Sequence, residues 1–273
     1  MKTYQLFNGA QIPALGLGTW RMGGSTTPDP SQDDEVRRAL RLALEIGYRH
    51  FDTAEMYAGG HAETLLGAAL RESGLPCEQL FITTKVWHTH LRRADVQRAC
   101  ENSLRRLQCD YVDLYLIHWP AEDVPLEETF EALNTLVRQG KVRALGVSNF
   151  DLISLRRAAV LSETPLVTNQ VPYSLRRRDY LHNGVLAFCQ QQGILLTAYT
   201  PLEKGRLAYE PAVARIAQAH GCTPSQVALA WLLHQEGVLA IPKATRPAHL
   251  RENFQAADLR LNPQDLLQLD SLA

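Results

Sequence analysis

Asp110-Tyr111-Val112-Asp113-Leu114-Tyr115-Leu116-Ile117-His118-Trp119-Pro120 contains a run, Tyr111–His118, that is apolar enough for a buried strand and is closed by a proline. A helical pattern, Arg93–Leu107, precedes it, and another, Leu126–Gln139, follows. A buried strand between two helices is the repeating unit of a parallel sheet, because parallel neighbours need long crossover connections. Working outward gives eight strand candidates: Leu15–Gly18, Tyr48–Asp52, Leu80–Thr84, Tyr111–His118, Val142–Ser148, Val167–Gln170, Ile194–Tyr199 and Leu239–Ile241.

Helical patterns alternate with these runs. Asp33–Ile46 carries Asp33, Asp34 and Glu35 in its first turn, where the helix dipole favours negative charge. Asp151–Leu161, Tyr180–Gln192, Glu210–His220 and Gln226–His234 continue the series, and Pro263–Leu272 reads as a closing helix with no long loop after it. Asn8-Gly9 between Tyr4–Phe7 and Ala10–Ile12 is a hairpin signal, placed to plug one end of a barrel. No linker rich in Pro, Gly or Ser interrupts the alternation, so residues 1–273 are expected to form one (β/α)8 TIM barrel with an N-terminal β-hairpin cap.

Composition narrows the function. The 273 residues are 45% hydrophobic, with a formal net charge of -1 and no long run of like charge, which argues against nucleic acid or an anionic membrane as partner. The amino terminus lacks a signal-peptide core and the longest apolar stretch, Val227–Leu233, is too short to span a bilayer, so a cytoplasmic protein is expected. Five cysteines without a Cys-x-x-Cys pair suggest buried free thiols rather than disulfides or zinc. Arg176-Arg177-Arg178 reads as a solvated charge run.

Asp52, Tyr57, Lys85 and His118 each fall at or just beyond the end of a separate strand candidate. The carboxyl ends of barrel strands converge, so these four point to one Asp/Tyr/Lys/His site. Gly16-Leu17-Gly18-Thr19-Trp20-Arg21 lacks the third glycine of a dinucleotide fingerprint, and the P-loop, His-Glu-x-x-His and Gly-x-Ser-x-Gly patterns are missing. His50 and Asp52 share a strand face and raise a metal hypothesis, but further ligands would have to come from scattered histidines, and an inward barrel histidine is commonly only hydrogen-bonded; no metal is expected.

Gly47-Tyr48-Arg49-His50-Phe51-Asp52-Thr53-Ala54 with Tyr57, Thr83-Thr84-Lys85-Val86-Trp87 and the stretch quoted first together resemble the aldo-keto reductase family. Gly146-Val147-Ser148-Asn149-Phe150, Asn169-Gln170, Ala198-Tyr199-Thr200-Pro201-Leu202 and Ile241-Pro242-Lys243 extend the resemblance over nearly the whole chain. The compact length resembles the small bacterial members, including 2,5-diketogluconate reductases. The resemblance implies a nicotinamide cofactor bound in extended form without a Rossmann domain.

By that resemblance Tyr57 is the general acid. A free phenol titrates near pH ~10, and a nearby Lys85 ammonium is expected to lower that value, with Asp52 holding Lys85 and His118 orienting the carbonyl oxygen. Ser148, Asn149 and Gln170 would hold the carboxamide, Tyr199 would stack on the nicotinamide ring, and Thr200 and Leu202 would line the pyrophosphate, near Lys204 and Arg206. Lys243 would contact phosphate, and Glu252 and Asn253 the adenine. Ala244 stands where the family usually has serine and His249 where it has arginine, which weakens two contacts to a 2'-phosphate, while Arg246 at the same helix start offers a base. NADPH is favoured, with NADH left open.

Trp20, Met56, Trp87 and Trp119 follow strand ends and suggest an apolar pocket for a small-molecule carbonyl, broad in tolerance, in a monomeric enzyme. Two other readings stay open. One is a non-catalytic nicotinamide-binding redox regulator, and the other a metal-dependent barrel hydrolase using His50, Asp52 and His118.

Overall fold

The computed structural model describes residues 1–272. Strands β1 (Thr3–Gln5) and β2 (Gln11–Pro13) pair as an antiparallel hairpin. Its connection is longer than the two residues suggested by Asn8-Gly9: the Leu6 amide donates to the Ala10 carbonyl, and the Asn8 side chain accepts from the Ala10 amide at 3.1 Å. Gly9 supplies the left-handed residue of that loop, at φ 82°.

Eight parallel strands follow in chain order: β3 (Leu17–Gly18), β4 (His50–Asp52), β5 (Phe81–Val86), β6 (Leu114–Ile117), β7 (Leu145–Ser148), β8 (Thr168–Pro172), β9 (Leu195–Tyr199) and β10 (Val238–Ala240). Each expected strand is present, with ends trimmed or shifted by a few residues. The ring closes between first and last: Ala240 N–H donates to Ala14 O at 2.8 Å, Gly16 N–H to Ala240 O at 2.9 Å and Gly18 N–H to Pro242 O at 3.1 Å. This seam explains Gly16-Leu17-Gly18. A Cβ on Gly18 would stand 2.8 Å from the Ile241 carbonyl oxygen, and one on Gly16 2.7 Å from the His50 ring. The glycines serve barrel closure rather than phosphate binding.

Helices α1 (Asp33–Ile46), α2 (His61–Ser73), α3 (Arg93–Leu107), α4 (Leu126–Arg138), α5 (Leu152–Leu161), α6 (Asp179–His182), α7 (Val185–Gln192), α8 (Pro211–Ala219), α9 (Pro224–His234), α10 (Pro247–Gln255) and α11 (Pro263–Asp270) surround the ring. Apolar spacing drives their docking: α1 buries Val36, Ala39, Leu40, Ala43 and Leu44 on one face and ends at Gly47, φ 117°. Thr223 and Gln226 form a reciprocal capping box that starts α9 at Pro224. The single helix expected over Tyr180–Gln192 is two pieces, α6 and α7, because Gly184 at φ 85° turns the chain between them.

The arginine run is not uniformly solvated. Arg178 is 6% exposed and donates to the carbonyls of Leu175, Leu269 and Asp270 while lying over the Trp231 ring, so it satisfies the end of α11. Cys100 and Cys189 are buried, Cys109 and Cys222 partly so, but Cys77 is exposed, which departs from the expectation for that thiol. Among the described residues no helix is long and apolar enough to cross a membrane.

Candidate active site

The carboxyl rim of the barrel opens into a cavity of about 550 Å³. Strands β4, β5 and β6 deliver its polar floor. Asp52 ends β4 and Lys85 lies one residue from the end of β5, and both are buried. Lys85 Nζ donates to Asp52 Oδ1 at 2.5 Å, to the Thr53 carbonyl at 2.7 Å and to the Tyr57 hydroxyl at 3.3 Å. Asp52 Oδ2 accepts from Gln170 Nε2 at 2.7 Å. Both carboxylate oxygens are therefore occupied, and an ion pair this deeply buried persists only when its remaining lone pairs and protons are met in this way.

Tyr57 follows β4 by one short turn and is 8% exposed, with its ring 5.0 Å from Trp20 and 5.6 Å from His118. Burial raises its pKa well above the ordinary phenol value, and the Asp52 charge adds to the rise. The sequence-based expectation of a lowered value is thus corrected: loss of water outweighs the ammonium, and Tyr57 is a neutral phenol near pH 7. Burial also pulls the Lys85 pKa down, with Asp52 opposing it. His118 lies just beyond β6, 8% exposed, and burial together with the Lys85 charge drops its pKa to about 2, so it is neutral. Its Nδ1 is buried without a partner. An orphan lone pair costs less than an orphan N–H, which places the ring proton on Nε2.

The opposite wall comes from β7 to β9. Ser148 Oγ donates to the Gln170 carbonyl at 2.8 Å, and Asn149 Nδ2 to the His118 carbonyl at 3.0 Å. Tyr199 OH donates to Asn149 Oδ1 at 2.8 Å, so this ring is pinned. Thr200, Leu202, Lys204 and Lys243 also line the cavity, as do Trp20, Met56, Trp87 and Trp119. Arg21, which the sequence reading left aside, also lines it, in the left-handed region at φ 66°.

Arg246, His249, Glu252 and Asn253 do not line this cavity. They belong to the start and body of α10, where Arg246 is the N-cap and Pro247 opens the helix; Asn253 is buried, and Arg246 and His249 are exposed with no ion-pair partner among the described residues. Lys243 likewise has none, and partial burial lowers its pKa, a cation placed to receive an anion. The residues therefore fit a nicotinamide dinucleotide: a polar amide-bearing wall, a pinned aromatic ring, and cations with no ion-pair partner among the described residues at Lys243 and the start of α10.

The metal hypothesis for His50 fails on partners. Its Nδ1 lies 3.1 Å from the Pro13 carbonyl and its Nε2 3.4 Å from Thr83 Oγ1, while Asp52 is consumed by Lys85 and Gln170. Among the described residues no cluster of three His, Cys, Asp or Glu could hold a metal ion.

A closed parallel barrel with an acid–base cluster at its carboxyl rim is the architecture of an α/β-barrel enzyme. The chain belongs to the aldo/keto reductase family, whose model matches residues 14–273. It is an oxidoreductase of that family, and the non-catalytic regulator reading gives way. It is 40% identical over 275 residues to methylglyoxal reductase YeaE of Escherichia coli K12, covering 98% of this chain and 94% of that one. Among solved structures it resembles the thermostable aldo-keto reductase Tm1743, crystallised with the inhibitor epalrestat, at TM-score 0.96 and 49% identity over 100% of both chains. An aldo-keto reductase from Klebsiella pneumoniae in complex with NADPH matches at TM-score 0.90 and 41% identity, over 99% of this chain and 94% of that one.

Proposed function

We propose that the protein reduces small aldehydes, ketones and dicarbonyls to alcohols with NADPH, using Tyr57 as general acid. One observation carries the reading: Lys85 Nζ stands 3.3 Å from the Tyr57 hydroxyl while Asp52 and the Thr53 carbonyl hold it from behind. Bound reduced nicotinamide supplies the hydride to the carbonyl carbon. Negative charge then develops on the carbonyl oxygen, and Tyr57 and His118, whose rings lie 5.6 Å apart, both face the space where that oxygen would sit. Tyr57 gives up its proton to the oxygen, and the Lys85 ammonium meets the phenolate this leaves. His118 donates from Nε2 and fixes the oxygen's direction. Solvent returns the proton to Tyr57 after product leaves.

Trp20, Met56, Trp87 and Trp119 bound the substrate end, and relatives named methylglyoxal reductase and glyoxal reductase support a dicarbonyl among its substrates. Ser148, Asn149, Gln170 and Tyr199 hold the nicotinamide end. Thr200, Leu202 and Lys243 follow the pyrophosphate, with Arg246 and His249 taking the 2'-phosphate beside the free amides of α10 and with Glu252 and Asn253 at the adenine.

The test follows NADPH consumption with methylglyoxal and an aromatic aldehyde. Tyr57→Phe is expected to lower kcat by about 10²- to 10⁴-fold with NADPH affinity retained, and NADH run alongside measures the cofactor preference. Equal turnover by Tyr57→Phe would remove Tyr57 as the acid.

A further inference from the structure

Glu55 lies between Asp52 and Tyr57 in the chain yet does not line the cavity. Its side chain is 9% exposed and turned sideways, towards the end of β5. There Oε1 accepts the backbone N–H of Trp87 at 2.5 Å and lies 3.1 Å from Nδ1 of His90. The Glu55 backbone N–H donates to the Lys85 carbonyl at 3.3 Å, so main chain and side chain both fasten this segment to β5. On the other side, His90 N–H donates to the Trp87 carbonyl at 2.9 Å and closes the short turn His88–His90, which no side chain of its own caps at Trp87. One nearly buried carboxylate oxygen thus satisfies both the first amide and the last side chain of the turn that carries Trp87.

What that turn holds is a wall of the site. The Trp87 ring meets His118 edge-on at 5.1 Å, and His118 in turn faces Tyr57. Met56 and Tyr57, one and two residues beyond Glu55, line the same cavity on the neighbouring segment. The spacing of the Tyr57 and Trp87 segments is therefore held by the Glu55 side chain together with its backbone bond to Lys85. We infer that Glu55, locked by His90, is a positioning residue that fixes the width of the substrate pocket and so selects carbonyl substrates by size. It touches no reacting atom. The inference rests on the proposed carbonyl reduction, since the width matters only if the carbonyl sits between these walls.

A charged hydrogen bond to a backbone amide in a desolvated spot is stronger than a neutral one, and misplacing a pocket wall by an ångström is enough to change turnover of a substrate that fills it. In Glu55→Ala the Trp87 turn loses its anchor. KM for a bulky aromatic aldehyde is expected to rise about tenfold, while kcat for methylglyoxal, too small to press on both walls, changes less than about threefold and NADPH affinity is unchanged. Glu55→Gln keeps an oxygen acceptor for the Trp87 amide and should restore most of the aromatic KM. His90→Ala removes only the outer partner of the carboxylate and should give an intermediate shift, and it serves if Glu55→Ala does not fold.

Amide hydrogen exchange at Trp87–His90 reads the tether without catalysis and is expected to quicken in Glu55→Ala. Equal loss of kcat on both substrates, or an unchanged KM ratio in both Glu55→Ala and His90→Ala, would overturn the inference. Failure of the wild-type protein to oxidise NADPH with any carbonyl would sink the reductase reading instead. In that event unchanged exchange at Trp87 in Glu55→Ala would refute the tether as well.

Discussion

Two histidines sit inside the same barrel at opposite ends, and they have been treated differently by the fold. His50 opens β4 beneath the hairpin, 1% exposed, with Pro13 and Thr83 facing its two ring nitrogens, and burial lowers its pKa to about 4. His118 follows β6 at the open rim with Nδ1 unpaired and a pKa dropped to about 2. Both are neutral, but only one is finished. The contrast extends to the surrounding backbone: Arg21, Asn149, Thr200 and Lys204, all lining the cavity, hold left-handed conformations at φ 66°, 62°, 53° and 55°. For a β-branched residue such as Thr200 that is strain. The closed end has met the nitrogens of its histidine, and the open end keeps an unpaired buried nitrogen and strained backbone around the cavity.

The largest way to sharpen this difference is His50→Ala. Losing two polar partners and leaving a void should cost about 3–4 kcal/mol of stability, read by urea unfolding, with kcat for methylglyoxal nearly unchanged. A substantial fall in kcat with full stability would show that His50 is not merely structural. Next comes His118→Gln, expected to lower kcat/KM about a hundredfold while thermal stability holds or rises, since an orphaned nitrogen is removed. The two sites would prove alike if this variant were destabilised and still active.

The smallest effect is in pH. Both folded histidines have depressed pKa values, about 4 and about 2, against an ordinary ~6.5 in the unfolded chain. The unfolded state alone takes up protons below ~6.5, so the stability held above that pH drains as pH falls towards 4. Asp113, raised to about 6 by burial, works the other way by gaining a proton in the folded state first. A net loss on the order of 1–3 kcal/mol between pH 7 and about pH 4.5 is expected, and His118→Gln should flatten it. A melting temperature that is level over that range in the wild type would contradict the assignment of neutral histidines.

The strand series was readable because barrel strands buried on both faces leave apolar runs, and the four residues at β4 to β6 were readable because a barrel places its polar side chains at strand ends. Helix α2 was not named from the sequence. It follows Gly59-Gly60 and carries Gly67 inside it, which look like breakers, yet a Cβ on Gly67 would lie 2.5 Å from the Arg106 carbonyl oxygen, so that glycine exists for close packing on α3. Its Glu63 is likewise a private matter of tertiary structure: 0% exposed, it accepts from Thr84 and Arg106, both distant in sequence. The Tyr57 acidity was misjudged for a related reason. Sequence reveals that a lysine can approach, but the depth of burial that outweighs it is a property of the assembled barrel. Glu55 gave no signal at all, because its partners Trp87 and His90 are more than thirty residues away.

The seam between β3 and β10 has a consequence for synthesis of the chain. Strand β3 leaves the ribosome long before its partner Ala240, because nearly the whole barrel lies between them in the chain. Until Ala240 and Pro242 emerge, the amides of Gly16 and Gly18 form an unpaired edge, the kind on which nascent chains aggregate or recruit chaperones. Lys243 comes three residues after Ala240, so the closing strand and a cation that lines the cavity emerge almost together, ahead of α10 and α11.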